Sequence, residues 1–220
     1  MRIAFIAGLH AIEPEMGTLK IPEEALPMDQ NLQSIPPLKR IILVSLGATI
    51  TAVGAFVTIP IPFSPIPLVL QNFFVLLLGL VFGAKLGASS IALYLFLGIL
   101  GLPVFAGAKG GVAHFMGPTG GYLVGYLAGT VVTGFLAALQ LKQNKSILFR
   151  DLGAALGGLV VIYALGVPWL KLRIGFGWEK ALEAGLLPFI PGDILKAVGA
   201  AAIAPRIRTL LSEEFFHYDS

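Results

Sequence analysis

Pro188-Phe-Ile-Pro-Gly-Asp-Ile-Leu-Lys196 opens an apolar run that continues to about Leu211. A helix needs roughly 20 such residues to cross the hydrocarbon core of a bilayer. Asp193 and Lys196 lie inside this run, three residues apart, so on a helix they share a face. They are the only acid and base that read as lying well inside an apolar run of this chain. A charge in hydrocarbon is costly unless it is paired or used, so such a pair marks a candidate functional site. Asp193 follows Pro-Gly and also suits a helix cap, but capping leaves Lys196 unexplained, because a cation in the first turn opposes the helix dipole.

The rest of the chain fits a membrane reading. Its 220 residues are 56% hydrophobic and only 12% charged, with a mean hydropathy of +0.88. A soluble domain carries about 25% charged residues. The absence of cysteine excludes a disulfide framework, thiol catalysis and thiolate metal sites. The net charge of +3 does not point to nucleic acid, because the basic residues cluster between apolar runs.

Working outward, the expected fold is all-α: a polytopic membrane protein with six transmembrane helices and both termini cytoplasmic. The spans are 38–59, 68–82, 88–102, 119–141, 152–167 and 192–211. Prolines 60, 62, 65 and 67 forbid a regular helix between the first two, and Gly83-Ala-Lys85-Leu-Gly87 reads as a short turn between the next. Residues 103–118 form a glycine-rich loop, and 169–187 an amphipathic stretch whose Trp169 and Trp178 suit an interface. Residues 1–38 read as a cytoplasmic tail, mostly disordered, 39–211 as the membrane domain and 212–220 as a second tail.

Charge orients the spans. Inner segments carry Lys39, Arg40, Lys85, Lys142, Lys145, Arg150, Arg206 and Arg208, against Lys109, Lys171, Arg173 and Lys180 outside. The proline loop, the glycine loop, the amphipathic stretch and the Asp193/Lys196 end of the last span then meet on the outer face, where a cavity open to the outside belongs.

Small residues recur at helix-packing spacing. Gly117, Gly121, Gly125 and Gly129 lie every four residues, which favours close packing within one bundle. Ala48-Thr-Ile-Thr-Ala52 makes a flat face on the first span that suits either internal packing or a partner helix. Gly107-Ala-Lys-Gly-Gly111 lacks the Gly-x-x-x-x-Gly-Lys-Ser/Thr pattern of a phosphate loop, and no ATPase motif occurs.

Four motifs, in order, resemble the BioY family, the biotin-specific S-components of energy-coupling factor (ECF) transporters. They are Ile59-Pro-Ile-Pro-Phe-Ser-Pro-Ile-Pro-Leu-Val-Leu-Gln71, Gly101-Leu-Pro-Val-Phe-Ala-Gly107, Gly117-Pro-Thr-Gly-Gly-Tyr-Leu123 and Leu187-Pro-Phe-Ile-Pro-Gly-Asp-Ile-Leu-Lys196. With their spacing they cover about residues 40–211. The resemblance implies an ECF S-component-like bundle without catalytic activity or cofactor. It would capture biotin from the outer side of the cell membrane, with a transmembrane coupling subunit and two cytoplasmic ATPases as partners. It also implies that Ala48 and Ala52 dock the coupling subunit.

Biotin offers two ureido N–H donors, a ureido carbonyl, an apolar thioether ring and a carboxylate. Asp193 suits the N–H groups, and Lys196 the carbonyl or the aspartate itself. Gln71, Asn72 and Tyr122 add neutral hydrogen bonds, although Gln71 and Asn72 also suit backbone groups freed by the prolines and Tyr122 an interfacial anchor. Gly107, Gly110 and Gly111 would bring backbone N–H groups to the ligand as a lid, and Phe105 and Trp169 would cover its ring. Lys109, Arg173 or the outward mouth would receive the carboxylate. His114, alone in its loop, is given no metal. An S-component for another vitamin should lack Pro-Gly-Asp-x-x-Lys. An intramembrane enzyme would need a catalytic set, and Ser89 and Ser90 read as lying at the end opposite Lys196.

Overall fold

The computed structural model describes residues 35–139 and 147–216. Residues 1–34 of the expected tail, the inner loop with Lys142 and Lys145, and the last four residues lie outside the described residues. Seven helices are described: α1 (Pro37–Phe56), α2 (Gln71–Ile99), α3 (Val112–Phe115), α4 (Gly120–Leu139), α5 (Ile147–Ile174), α6 (Trp178–Gly185) and α7 (Ile190–Phe216). Two short strands, β1 (Thr58–Ile59) and β2 (Leu68–Val69), pair antiparallel and close the proline loop between α1 and α2.

By length and composition α1, α2, α4 and α5 can each cross a membrane, and α6 with Ile190–Leu211 of α7, bent by 48°, makes a fifth candidate. Helix α2 is two arms rather than one rod. At Gly83 the backbone leaves the helical region, with φ 77° and ψ −172°, a conformation that glycine tolerates best. Gln71 Nε2 donates to the Tyr94 hydroxyl at 2.6 Å. In a straight helix those residues would stand roughly 35 Å apart at 1.5 Å per residue. The arms therefore fold back on each other, and the expected turn over residues 83–87 shrinks to one residue.

The hairpin of α2 is the centre of the bundle, with α1, α4 and α7 packed against it. Leu76, Leu78, Leu80 and Ile91 are buried there. On α4 a Cβ on Gly134 would overlap the backbone N of Ala84, so glycine is what lets the helix touch the hairpin's reversal. Gly121, Gly125 and Gly129 face α5, at Trp169 and Ile162, as the small-residue spacing predicts.

Three expectations need correction. Helix α5 runs on through Pro168 to Ile174, so the first residues of the expected amphipathic stretch extend the fifth span, and only α6 stands apart. Ile35 is buried and its carbonyl accepts from Arg40 Nε at 2.8 Å, and α1 starts at Pro37, so residues 35–38 of the expected tail belong to the bundle. Finally, Asp193 and Lys196 are not the only buried charges. At the opposite end, Asp151 is fully buried between Arg150, at 3.1 Å, and Arg208, and the Arg208 guanidinium also donates to the Leu80 carbonyl at 3.2 Å. These residues sit at span ends, where charges read as aqueous flanks; only the convergence of α2, α5 and α7 buries them.

Candidate functional site

The local chain path explains how a charged residue is brought into the bundle. Phe189 and Ile190 turn the chain from α6 into α7, and the Asp193 N–H donates to the Phe189 carbonyl at 2.8 Å. The first turn of α7 thus points the Asp193 side chain between α2 and α5, where it is 1% exposed. Its carboxylate accepts three hydrogen bonds. Lys196 Nζ donates to Oδ1 at 2.7 Å, while Asn72 Nδ2 at 2.6 Å and the Tyr163 hydroxyl at 2.5 Å donate to Oδ2. Lys196 also donates to the Val69 carbonyl at 2.6 Å, fastening the strand of the proline loop to the same centre.

This cluster forms the floor of a partly enclosed cavity lined mostly by apolar and aromatic side chains with a few convergent polar groups, as small-molecule sites are. Tyr122 and Tyr126, one turn apart on α4, form one wall. Ile66, Pro67 and Val69 from the proline loop, with Phe189, form another. Ala106, His114 and Thr119 complete the lining from the glycine loop and the approach to α4.

One buried atom is left wanting. Asn72 Oδ1 has no hydrogen-bond partner, although Nδ2 of the same amide is committed to Asp193. A buried acceptor left unsatisfied costs about 1–3 kcal/mol. A carboxylate has about four acceptor positions, and three of Asp193's are used. Asn72 Oδ1 and one acceptor position of Asp193 are therefore unused, next to the Lys196 cation.

Five of the expected ligand residues line this cavity together: Asp193, Lys196, Gln71, Asn72 and Tyr122. Gln71 is held by Tyr94, and the Tyr122 hydroxyl donates to the Gly185 carbonyl at 2.7 Å, so it ties α4 to α6 and offers its ring to the cavity. The other five do not line it. Phe105 is buried behind the wall, edge-on to Tyr94 and stacked on His114 at 5.5 Å, with its ring tip against Gly98. Gly110 packs on the Leu102 carbonyl, and the Gly111 N–H donates to the Gly98 carbonyl at 2.7 Å. Those groups hold the loop on the hairpin rather than presenting N–H groups to a ligand. Gly107 lines a neighbouring groove together with Lys109. Trp169 clamps α4: its Nε1 donates to the Gly117 carbonyl at 2.9 Å, and Arg173 sits over its ring at 5.4 Å.

Ala48 is also corrected in part. It is 4% exposed and packs within the chain's own core, while Ala52 is half-buried against it. The buried face of α1 is Leu43, Gly47, Ala48, Thr51, Gly54 and Ala55.

The sequence reading missed Tyr163, Tyr126 and His114 as lining residues. Tyr126 follows Tyr122 by four residues, which places both rings on one face. Tyr163 stands in mid-span, away from the interface where a membrane tyrosine is expected. The His114 imidazole, 3.5 Å from the Thr119 hydroxyl, has its pKa lowered from the usual 6.5, first by burial and then by the Lys109 ammonium.

A sequence model of the BioY family matches residues 26–213. The chain is 45% identical over 170 residues to a probable biotin transporter BioY of Pyrococcus horikoshii, covering 77% of this chain and 96% of that one. It is 40% identical over 173 residues to the biotin transporter BioY of Thermotoga maritima, covering 79% and 98%. The crystal structure of the S-component for biotin from an ECF-type ABC transporter superposes with a TM-score of 0.70 at 30% identity, covering 82% of this chain and 93% of that one.

Proposed function

This chain belongs to the BioY family, and from that premise we propose that it captures biotin in the Asp193 cavity and delivers it to an ATP-driven ECF transporter. It is a transport subunit and not an enzyme. The observation that carries the ligand assignment is the pair of acceptors on the cavity floor. The ureido ring presents two N–H donors on either side of one carbonyl. Asn72 Oδ1 and the open position on Asp193 accept those donors, and Lys196 serves the carbonyl or steadies the aspartate. Tyr122, Tyr126 and Phe189 cover the apolar bicycle. The valerate then runs toward His114 and Thr119, with Lys109 beyond as its counter-charge.

The protein is a multi-pass membrane protein. Counting the two arms of α2 separately and α6 with α7 as one gives six crossings, with both termini on the inner side as the charge pattern favours. On this reading residues 1–38 and 212–220 are cytoplasmic tails on a membrane domain of 39–211, and the cavity opens outward. The energy source lies on other chains: a transmembrane coupling subunit and two ATPases. Ala52 and the neighbouring exposed residues of α1 offer a seat for the coupling subunit.

Calorimetric titration of the detergent-purified chain tests the ligand assignment, with biotin against lipoate. Lipoate shares the valerate chain and a sulfur ring but has no ureido group. Binding of biotin alone is expected; equal binding of both would remove the floor from the recognition argument.

A further inference from the structure

Tyr122, Tyr126 and Thr130 follow one another every four residues along α4, so their hydroxyls share one side of the helix. The two flanking hydroxyls are spent inside the protein. Tyr122 donates to the Gly185 carbonyl of α6 at 2.7 Å, and Thr130 to the Val75 carbonyl of α2 at 3.3 Å. Tyr94 and Tyr163 are likewise engaged, with Gln71 at 2.6 Å and Asp193 at 2.5 Å. Tyr126 differs. It is 5% exposed and lines the cavity, yet among the described residues its hydroxyl has no hydrogen-bond partner. A buried tyrosine hydroxyl ordinarily finds one, because leaving the bond unmade is costly. The hydroxyl stands within electrostatic range of Asp193 without bonding to it, which places it at the cavity floor.

We propose that Tyr126 is a specificity-determining residue for biotin, its hydroxyl donating to the ureido carbonyl oxygen while its ring covers the bicycle. The inference rests on the biotin reading above and assigns the ligand atom on the floor that needs a donor. Asn72 and Asp193 supply acceptors for the two ureido N–H groups. The donors around Asp193 are already in use. The single Tyr163 O–H goes to Oδ2, and Lys196 divides itself between Oδ1 and the Val69 carbonyl. Tyr126 brings a proton with no earlier commitment. A carbonyl oxygen has two acceptor positions, so Tyr126 and Lys196 can serve it together. Depth separates Tyr126 from the ligand's carboxylate, which runs toward His114 and Thr119. Tyr126 stands two turns of chain beyond Thr119, roughly 10 Å further in at 1.5 Å per residue. The thioether sulfur is only a weak acceptor. An analogue without the carbonyl would leave the hydroxyl unpaired, which is how a site built to bond a polar group rejects ligands that lack it.

The test is calorimetric titration of the detergent-purified full chain, wild type against Tyr126→Phe. The probes are biotin; desthiobiotin, which keeps the ureido ring but lacks sulfur; biotin methyl ester, which lacks the free carboxylate; and 2-thiobiotin, whose thiocarbonyl accepts hydrogen bonds poorly. Tyr126→Phe should weaken the first three by the same factor, about five- to tenfold, the size of one neutral hydrogen bond. It should change 2-thiobiotin by about twofold at most. The Tm of the ligand-free protein separates this role from a structural one. Tyr126→Phe removes no bond within the protein and should leave that Tm unchanged or raised, whereas Tyr122→Phe loses the Gly185 bond and should lower it. Native biotin affinity in Tyr126→Phe overturns the proposal, as does a lowered ligand-free Tm. A loss that disappears with the methyl ester would give the hydroxyl to the carboxylate, and one that disappears with desthiobiotin would give it to the sulfur; either overturns it. A wild type that binds no biotin would overturn the capture reading itself, so the two failures are distinct.

Discussion

Replacing Asp193 by asparagine separates what the buried pair does for the fold from what it does for the ligand. In the native protein, Lys196 has 11% of its side chain exposed and its carboxylate partner at 2.7 Å. Asp193→Asn leaves the ammonium without a counter-charge, with neutral carbonyl acceptors only, and directs an amide N–H₂ toward donors on Asn72 and Tyr163. Removing one partner of a buried pair costs about 3–5 kcal/mol, most of it the desolvated charge left behind. Removing both, as in Asp193→Asn with Lys196→Met, should recover most of that stability, because an apolar replacement avoids the desolvation. Biotin affinity should not recover, since the floor has lost both its acceptor and its cation. The assay is the apparent Tm of each variant with and without biotin, alongside calorimetric titration. The single variant should melt well below wild type, and the double variant close to it, with neither raised by biotin. A double variant that binds biotin with native affinity would refute the assignment of Asp193 and Lys196 to the ligand, and a single variant of native stability would refute the account of the pair.

Tyr163→Phe keeps the ring beside Tyr122 but removes a donor to Asp193, a charge-assisted bond worth about 1.5–3 kcal/mol. Because that bond exists without ligand, the cost should fall mainly on the Tm and less on biotin affinity. Gly134→Ala forces a methyl onto the Ala84 backbone at the tip of the hairpin, and should destabilise by about 1–3 kcal/mol, read as a lower Tm with affinity unchanged in the folded fraction. His114 predicts a pH dependence. Its pKa is lowered in the folded state from 6.5, so the unfolded chain binds the proton more readily. Its contribution to stability is then fully present above 6.5 and lost as pH falls below that value toward the lowered folded-state pKa. His114→Gln should flatten the part of the Tm–pH profile that falls on acidification between about pH 7 and pH 5, and an unchanged slope would assign it to other groups.

Much of the site was legible because membranes make polar residues expensive. Asp193, Lys196, Gln71 and Asn72 stood out against an apolar background, and all four line one cavity. The glycine loop misled for the opposite reason. Glycine allows a backbone to approach something closely, but the sequence does not say what, and here Gly110 approaches Leu102 and not a ligand. Phe105 and Trp169 are similar cases: an aromatic ring fits a ligand wall and a packed core equally well, and both rings support the site from behind.

The sequence by itself determined that this chain lies in a membrane, where its apolar runs fall, and that an acid and a base share the first turns of the last helix. Those properties follow from local composition and helical period, which need no partner. Tertiary structure alone decided that the second apolar stretch folds back at Gly83, that Tyr163 from a distant helix completes the shell of Asp193, and that Asp151 and Arg208 are buried together. Each depends on which helix faces which. A charge at a span end looks the same in sequence whether it meets water or a neighbour, and only packing chooses between them.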